Sequence, residues 1–370
     1  MAYTTIDDPS AYFQTATYTG NGSTQSITND GNSDLQPDWV WIKSRSNGSW
    51  HSLQDSSRGA TKTLFSNTTN AEVTYTDAQT SFDSDGFSLG ADASGGSVNV
   101  NSRTYVAWQW KANGGTTTSK SSGTVAGNVT TPCVQQVNTD AGFSILTYTA
   151  STSYAGTETH LEHGLGVGPK VLIVKRRDTT GNWNVYHAGN GASPNAGYGY
   201  LLLNTANATQ VASPSNQYWL NTPAESNATL LALGAENGAN GGQYVCYAFA
   251  EKQGYSKFGS YVGNGNANGA FVYTGFKPAF VMVKISSGTT AGWYMWDTKR
   301  ETFNPNNKYI NAAEADAEGE NSIFDVDILS NGFKMRNTNA GLNGSGNSYI
   351  YMAFAENPFV TSTGIPTTAR

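Results

Sequence analysis

Two cysteines, Cys133 and Cys246, in 370 residues exclude a dense disulfide framework. Cys246 lies inside an apolar run, where a buried thiol is expected. Charge is scarce too: 13% of the residues are charged, about half the share of an average globular chain. Disorder would require few aromatics, yet the chain carries 20 Tyr, 15 Phe and 9 Trp beside 41 Gly. A net charge of -6 leaves no electrostatic footprint for nucleic acid or an anionic membrane surface. No apolar stretch is long enough to span a membrane. The opening "MAYTTIDDPSAYF" lacks the basic start and apolar centre of a secretion signal. Synthesis in a cytoplasm, with no nucleic-acid partner and no membrane insertion, is the expectation.

Motifs that carry chemistry are also missing. There is neither a G-x-S-x-G elbow nor a phosphate loop. "GLGVGPK" (164–170) precedes a strand instead of opening a helix, so it reads as a turn. In "HLEH" (160–163), His160 and Glu162 share one face of a strand while His163 points away, which spoils a three-ligand metal site. The acidic clusters "DSD" (83–85), "DVD" (325–327) and "EADAEGE" (314–320) supply neither a complete calcium loop nor a visible pair of facing carboxylates. No catalytic residue, metal or cofactor is expected, and the chain is read as a non-enzyme.

What is present is repetition. Tyr18, Tyr148 and Tyr261 each open a similar stretch, followed by "PDWVWIK" (37–43), "PKVLIVK" (169–175) and "PAFVMVK" (278–284). A Trp comes soon after each Lys (Trp50, Trp183, Trp293), and each stretch closes with "YVAWQWK" (105–111), "YVCYAFAE" (244–251) or "YIYMAFAE" (349–356). From strand Pro to closing Tyr the separations are 68, 75 and 71 residues. Chance matches would not be so regular, so the pattern predicts three copies of one unit. "LFSNTTNA" (64–71), "LLNTANA" (202–208) and "YINAAEA" (309–315) add a shared Asn with Ala four residues later. "SFDSDGFSLG" (81–90) and "ILSNGFKMR" (328–336) predict tight hairpins in copies one and three.

In "FVMVK", Phe280, Met282 and Lys284 alternate with Val281 and Val283, and both sets are mostly apolar. Such a strand is covered on both faces. The predicted fold is all-β, three tandem antiparallel β-sandwich repeats at 1–111, 133–253 and 254–370. Helix is expected only as a short segment within "INAAEADAEGEN" (310–321). Residues 112–132, "ANGGTTTSKSSGTVAGNVTTP", have the composition of a flexible linker that would span on the order of 25 Å as free coil. The first unit is thus expected to swing, while the short "EKQGYSKFG" (251–259) fixes the third against the second.

The recurring Trp50, Trp183 and Trp293 read as core residues that define the unit. Trp39, Trp41, Trp108, Trp110, Trp219 and Trp296 occur in single copies. Of these, Trp41, Trp110, Trp219 and Trp296 are the candidates for exposed platforms on which a sugar could lie.

With these markers assembled, "GYSKFGSYVGNGNANGAFVYTGFKPAFVMVK" (254–284) with "YIYMAFAENPF" (349–359) resembles a repeated domain of tailed-bacteriophage virion proteins, common in marine and cyanobacterial phages. "AGFSILTYTA" (141–150) with "HGLGVGPKVLIVKRRDTTGNWNVYH" (163–187) resembles the copy that usually precedes it. "PDWVWIKSRSNGSWHSLQDSSRGATKTLFSNTTNA" (37–71), "DGFSLG" (85–90) and "TYVAWQWKA" (104–112) resemble the N-terminal copy. The resemblance implies concanavalin-like or jelly-roll-like sandwich modules in a tail fibre or other virion-surface protein. It implies partners among other virion proteins, a homotrimer, and a host-surface glycan as ligand. Capsid decoration without receptor binding is the alternative. No ligand residues carry over, because the motif contains no established binding signature. Copy one begins by about Tyr12, without the long attachment region of many fibres, which points to a compact surface protein.

Overall fold

The computed structural model describes residues 2–125, 128–150, 159–190, 199–213, 217–219 and 228–367. The chain is nearly all β, built from antiparallel sheets, as its alternating apolar runs predict. The expected helix within 310–321 is absent. That segment ends the strand Lys308–Asn311 and turns into Gly319–Glu320, while the only described α-helix is Ala340–Asn343.

Three large sheets share one strand order. In the first, Phe13–Thr19 pairs with the closing strand Thr104–Trp110, which pairs with Trp39–Ser44, then Ser52–Asp55, then Lys62–Phe65. In the second the order is Phe143–Thr149, Gln243–Phe249, Val171–Arg176, Trp183–His187, Gly199–Leu202. The third runs Ser256–Val262, Ser348–Pro358, Phe276–Ile285, Trp293–Asp297, Lys308–Asn311. Each large sheet faces a small one. These are Gln25–Thr28 with Gly86–Leu89 and Gln79–Asp83, then Thr159–Glu162 with Leu230–Leu233, then Phe271–Tyr273 with Gly332–Met335 and Val326–Leu329. The "DSDG" and "SNG" segments form the expected hairpin turns, with Gly86 at φ 113°.

Alternation explains why the Pro-led strands are apolar on both sides. Val40 and Ile42, Leu172 and Val174, and Val281 and Val283 enter separate outer cores beneath the small sheets. Trp39 and Trp41, Val171 and Ile173, and Phe280 and Met282 point the other way, into one inner core common to all three sheets. At its centre meet the same-register residues of the closing strands, Trp110, Phe249 and Phe354. Phe354 lies 5.6 Å from Trp110 and 5.8 Å from Phe249 between ring centroids. Trp39 stacks on Tyr247 of the second sheet at 4.3 Å. The units therefore do not bury their inner faces independently.

Nor is the first unit free to swing. Gly114 and Gly115 donate backbone N–H groups to the buried Asp38 carboxylate, and Thr118–Lys120 pairs with the edge of the second large sheet. Gln136 donates to the hydroxyls of Ser56 and Ser57. Composition suggested a tether, but a buried acceptor and a strand edge capture its polar backbone.

The sheets close into a ring through the same contacts three times. The rings of His51, Trp183 and Trp293 occupy one register position, opposite Lys43, Lys175 and Lys284. His51 donates to Asn311 O in the third unit, Trp183 to Phe65 O in the first, and Trp293 to Leu202 O in the second. The paired lysines reach across the same joints to Ala315 O, Thr69 O and Thr205 O. Asn67, Asn204 and Asn311 accept the backbone N–H of His51, Trp183 and Trp293, which accounts for the recurring Asn in the sequence. Each unit touches the next head to tail, and the third returns to the first.

A common inner core should melt as one unit. Calorimetry is expected to show a single unfolding transition, and Phe354→Ala should cost about 3–5 kcal/mol while keeping that transition single. Separate melting of the first unit would contradict the shared core.

Candidate functional site

A catalytic site would lie among buried ionisable groups with perturbed pKa values. Asp55 and Arg58 form an ion pair with both side chains fully buried, and Arg58 continues to Glu72, which also holds Arg177 of the second unit. Tyr247 donates its hydroxyl proton to Asp55 at 2.7 Å. The third unit repeats this against the first. Asp297 pairs with Arg300, Arg300 with Glu318, Glu318 with Arg45, and Trp108 donates to Asp297 at 3.0 Å. Burial opposes ionisation of Glu72 and Glu318, but their two arginines each outweigh it and hold both carboxyls below the usual carboxylate range. Neither set offers a free acid or base. They are clamps at two joints, and they escaped sequence reasoning because their members lie far apart in the chain.

At the remaining joint His187 takes the position of Asp55 and Asp297, and it donates to Tyr351 O at 3.0 Å. Burial lowers its pKa to about 4. His51 is lowered well below the usual histidine value by burial and by the Lys43 ammonium. Burial likewise lowers Lys43 and Lys175 to about 8 and Lys284 to about 7.

The other sequence candidates are structural. His160 and His163 are buried, and Glu162 pairs with Lys120. Among the described residues no group of three or more His, Cys, Asp or Glu could hold a metal ion. A cleft of about 680 Å³ runs past Lys120, Cys133, Tyr148 and Arg177. Both its cations are paired, and burial pushes the Cys133 thiol up to about 11, so the sulfur stays protonated and unreactive.

The aromatic expectations are inverted. Trp41, Trp110, Trp219 and Trp296 are at most 5% exposed. Trp41 and Trp110 face the common core, Trp296 fills the outer core of the third unit and Trp219 that of the second. Trp183 and Trp293 are buried in the common core, but Trp50 is 45% exposed. The reason is register. Trp50 lies seven residues after Lys43, whereas the residue paired with the lysine in the second unit lies eight after it. His51 therefore enters the core and Trp50 is turned outward.

There Trp50 is held firmly. Ser49 N–H donates to Ala315 O and His51 N–H to Asn67, fixing the backbone on either side, and the indole meets Phe65 edge to face at 5.1 Å. The two rings line a recess of about 360 Å³ with Gly96, Ser97, Arg103 and Ala315. Around the lining residues Gly96 and Ser97, Ser52 donates to Gly96 O, and Asp92 accepts the N–H groups of Val98 and Asn99. A Cβ on Gly96 would lie 2.5 Å from that of Ala78, so only glycine fits this wall.

A family model described as "Domain of unknown function (DUF7483)" matches residues 8–358. The chain belongs to that family. No curated protein and no solved structure matches it. The matched span takes in all three large sheets and the joints between them.

Two outcomes follow from the buried charges. Arg300→Met leaves Asp297 and Glu318 without their common cation and should cost about 3–5 kcal/mol in chemical denaturation. Acid should also destabilise the fold. His187 and His51 take up protons near their ordinary value when unfolded but only at lower pH when folded, so stability is full above about pH 6.5 and falls toward pH 4. His187 alone should account for about 2 kcal/mol between pH 7.5 and 5. His187→Gln, which can still donate to Tyr351 O, should reduce that slope in thermal melts across the same range.

Proposed function

We propose that the chain is a phage virion surface protein, a tail-fibre or receptor-binding component that recognises the host surface, with glycans as the ligand class. One observation carries the binding reading. The buried ionisable clusters are committed to closing the ring, while an aromatic side chain is held outward on a fixed loop at Trp50. A rigid scaffold that displays fixed loops is suited to recognition. The virion assignment rests on the sequence resemblance described above, and assembly with other virion proteins as a homotrimer belongs to the same proposal.

A purely structural role, such as capsid decoration, is favoured by a different feature. Val262, Phe271 and Tyr273 are all about half exposed or more at the edge of the third unit, where a neighbouring subunit could cover them.

The two roles separate in one set of measurements. Purified protein is expected to bind host cells and to reduce phage adsorption, and labelled antibody should mark the tail of the virion. Labelling spread over the capsid, with no binding to host cells, would reject the receptor role.

A further inference from the structure

From the recess beside Trp50 we infer a binding site for a carboxylated sugar, a uronic or sialic acid residue of a surface glycan. This deepens the glycan-binding reading and rests on it. Three observations converge on the recess. First, the exposed indole supplies a flat apolar face, the surface on which the C–H side of a pyranose lies. Second, Arg103 is the one described arginine without a carboxylate partner. Arg45, Arg58, Arg176, Arg177, Arg300 and Arg336 are each paired. Arg103 makes no side-chain hydrogen bond to any described residue, although it lines the same recess as Trp50. A planar guanidinium left unpaired in an acidic protein is suited to a bidentate contact with a carboxylate.

Third, backbone strain collects on this side of the recess. The three described non-glycine residues with positive φ are Asp92, Ser97 and Ser102, at 57°, 58° and 64°. All belong to the loop between Leu89 and Thr104 that supplies Ser97 and Arg103. Conformations of this kind concentrate at ligand sites, where the surrounding structure holds them in place. The other units lack the site. The residues preceding Trp183 and Trp293 are Asn182 and Gly292, and the register partners of Phe65 are Leu202 and Asn311. Both aromatics are found only in the first unit.

Calorimetric titration of the full chain with oligosaccharides bearing glucuronate, galacturonate or sialic acid, each beside its carboxyl-reduced counterpart, tests the inference. Saturable binding to at least one acidic member is expected, weakened at least tenfold by carboxyl reduction and by Arg103→Gln. Trp50→Ala should remove binding while lowering the melting temperature by only a few degrees, because the side chain is 45% exposed and its one ring contact among the described residues is with Phe65. Equal affinity for the reduced sugar, no binding to any acidic member, or binding that survives both substitutions would overturn the site. Host-cell adsorption measured in parallel keeps the two readings apart. If both variants still block adsorption like the parent chain, the receptor role stands and this site falls. If the parent binds acidic sugar but not cells, the site stands and the receptor role falls.

Discussion

A ring side chain and a lysine from one unit both donate to backbone carbonyls of the next, and this happens at all three joints. A buried ammonium is costly unless acceptors surround it. Here each lysine finds two or more carbonyls, and at every joint one of them belongs to the neighbouring unit. The acceptor exists only when the neighbour is seated. The lysine thus makes correct docking and its own burial the same event, and the common inner core can form only once the head-to-tail contacts have closed.

The joints are nevertheless unequal. Two carry a buried carboxylate–guanidinium clamp extended by a second carboxylate, and the third has His187 against a carbonyl. Its partner strand shows the matching change. Where the closing strands of the first and second units present Trp108 and Tyr247 to the clamp, the third presents Met352, which has no proton to donate. Donor and acceptor have changed together, so neither joint type leaves a buried charge alone. The consequence is a fold whose acid sensitivity comes from imidazoles at two joints, His187 in place of a clamp at one and His51 beside the clamp at another, and not from the paired carboxylates.

Much of this was legible in the sequence, and the parts that were not share a cause. The Pro-led strands announced coverage on both faces, and the Tyr markers proved to be cross-strand stacks, Tyr18 on Tyr105, Tyr148 on Tyr244 and Tyr261 on Tyr349. A further marker went unread. Asn99, Asn237 and Asn343, each fully buried, stand six or seven residues before the closing Tyr. What a single strand cannot reveal is which covering layer lies on its second face. Trp41 and Trp110 look like surplus aromatics in a lone sandwich, and they become necessary once that face belongs to a core shared by three sheets. The linker failed for a similar reason, since its Gly/Ser/Thr composition says nothing of the Asp38 carboxylate waiting for its N–H groups.

Trp50 shows how a repeat acquires a separate role. In the other units the ring beside the lysine is an indole that bridges to the neighbour, and a one-residue shift in the first gives that duty to His51. Imidazole can replace indole because its Nε2 proton reaches the same register of carbonyl, while its Nδ1 accepts from Trp41. The joint keeps its hydrogen bond, and the displaced indole comes to rest on Phe65 at the surface. Closure of the ring demands that the three units stay alike at their joints, and that demand ends at the loops. Recognition is therefore to be sought where the units differ, and in the first unit the difference is an aromatic ring beside an unpaired arginine.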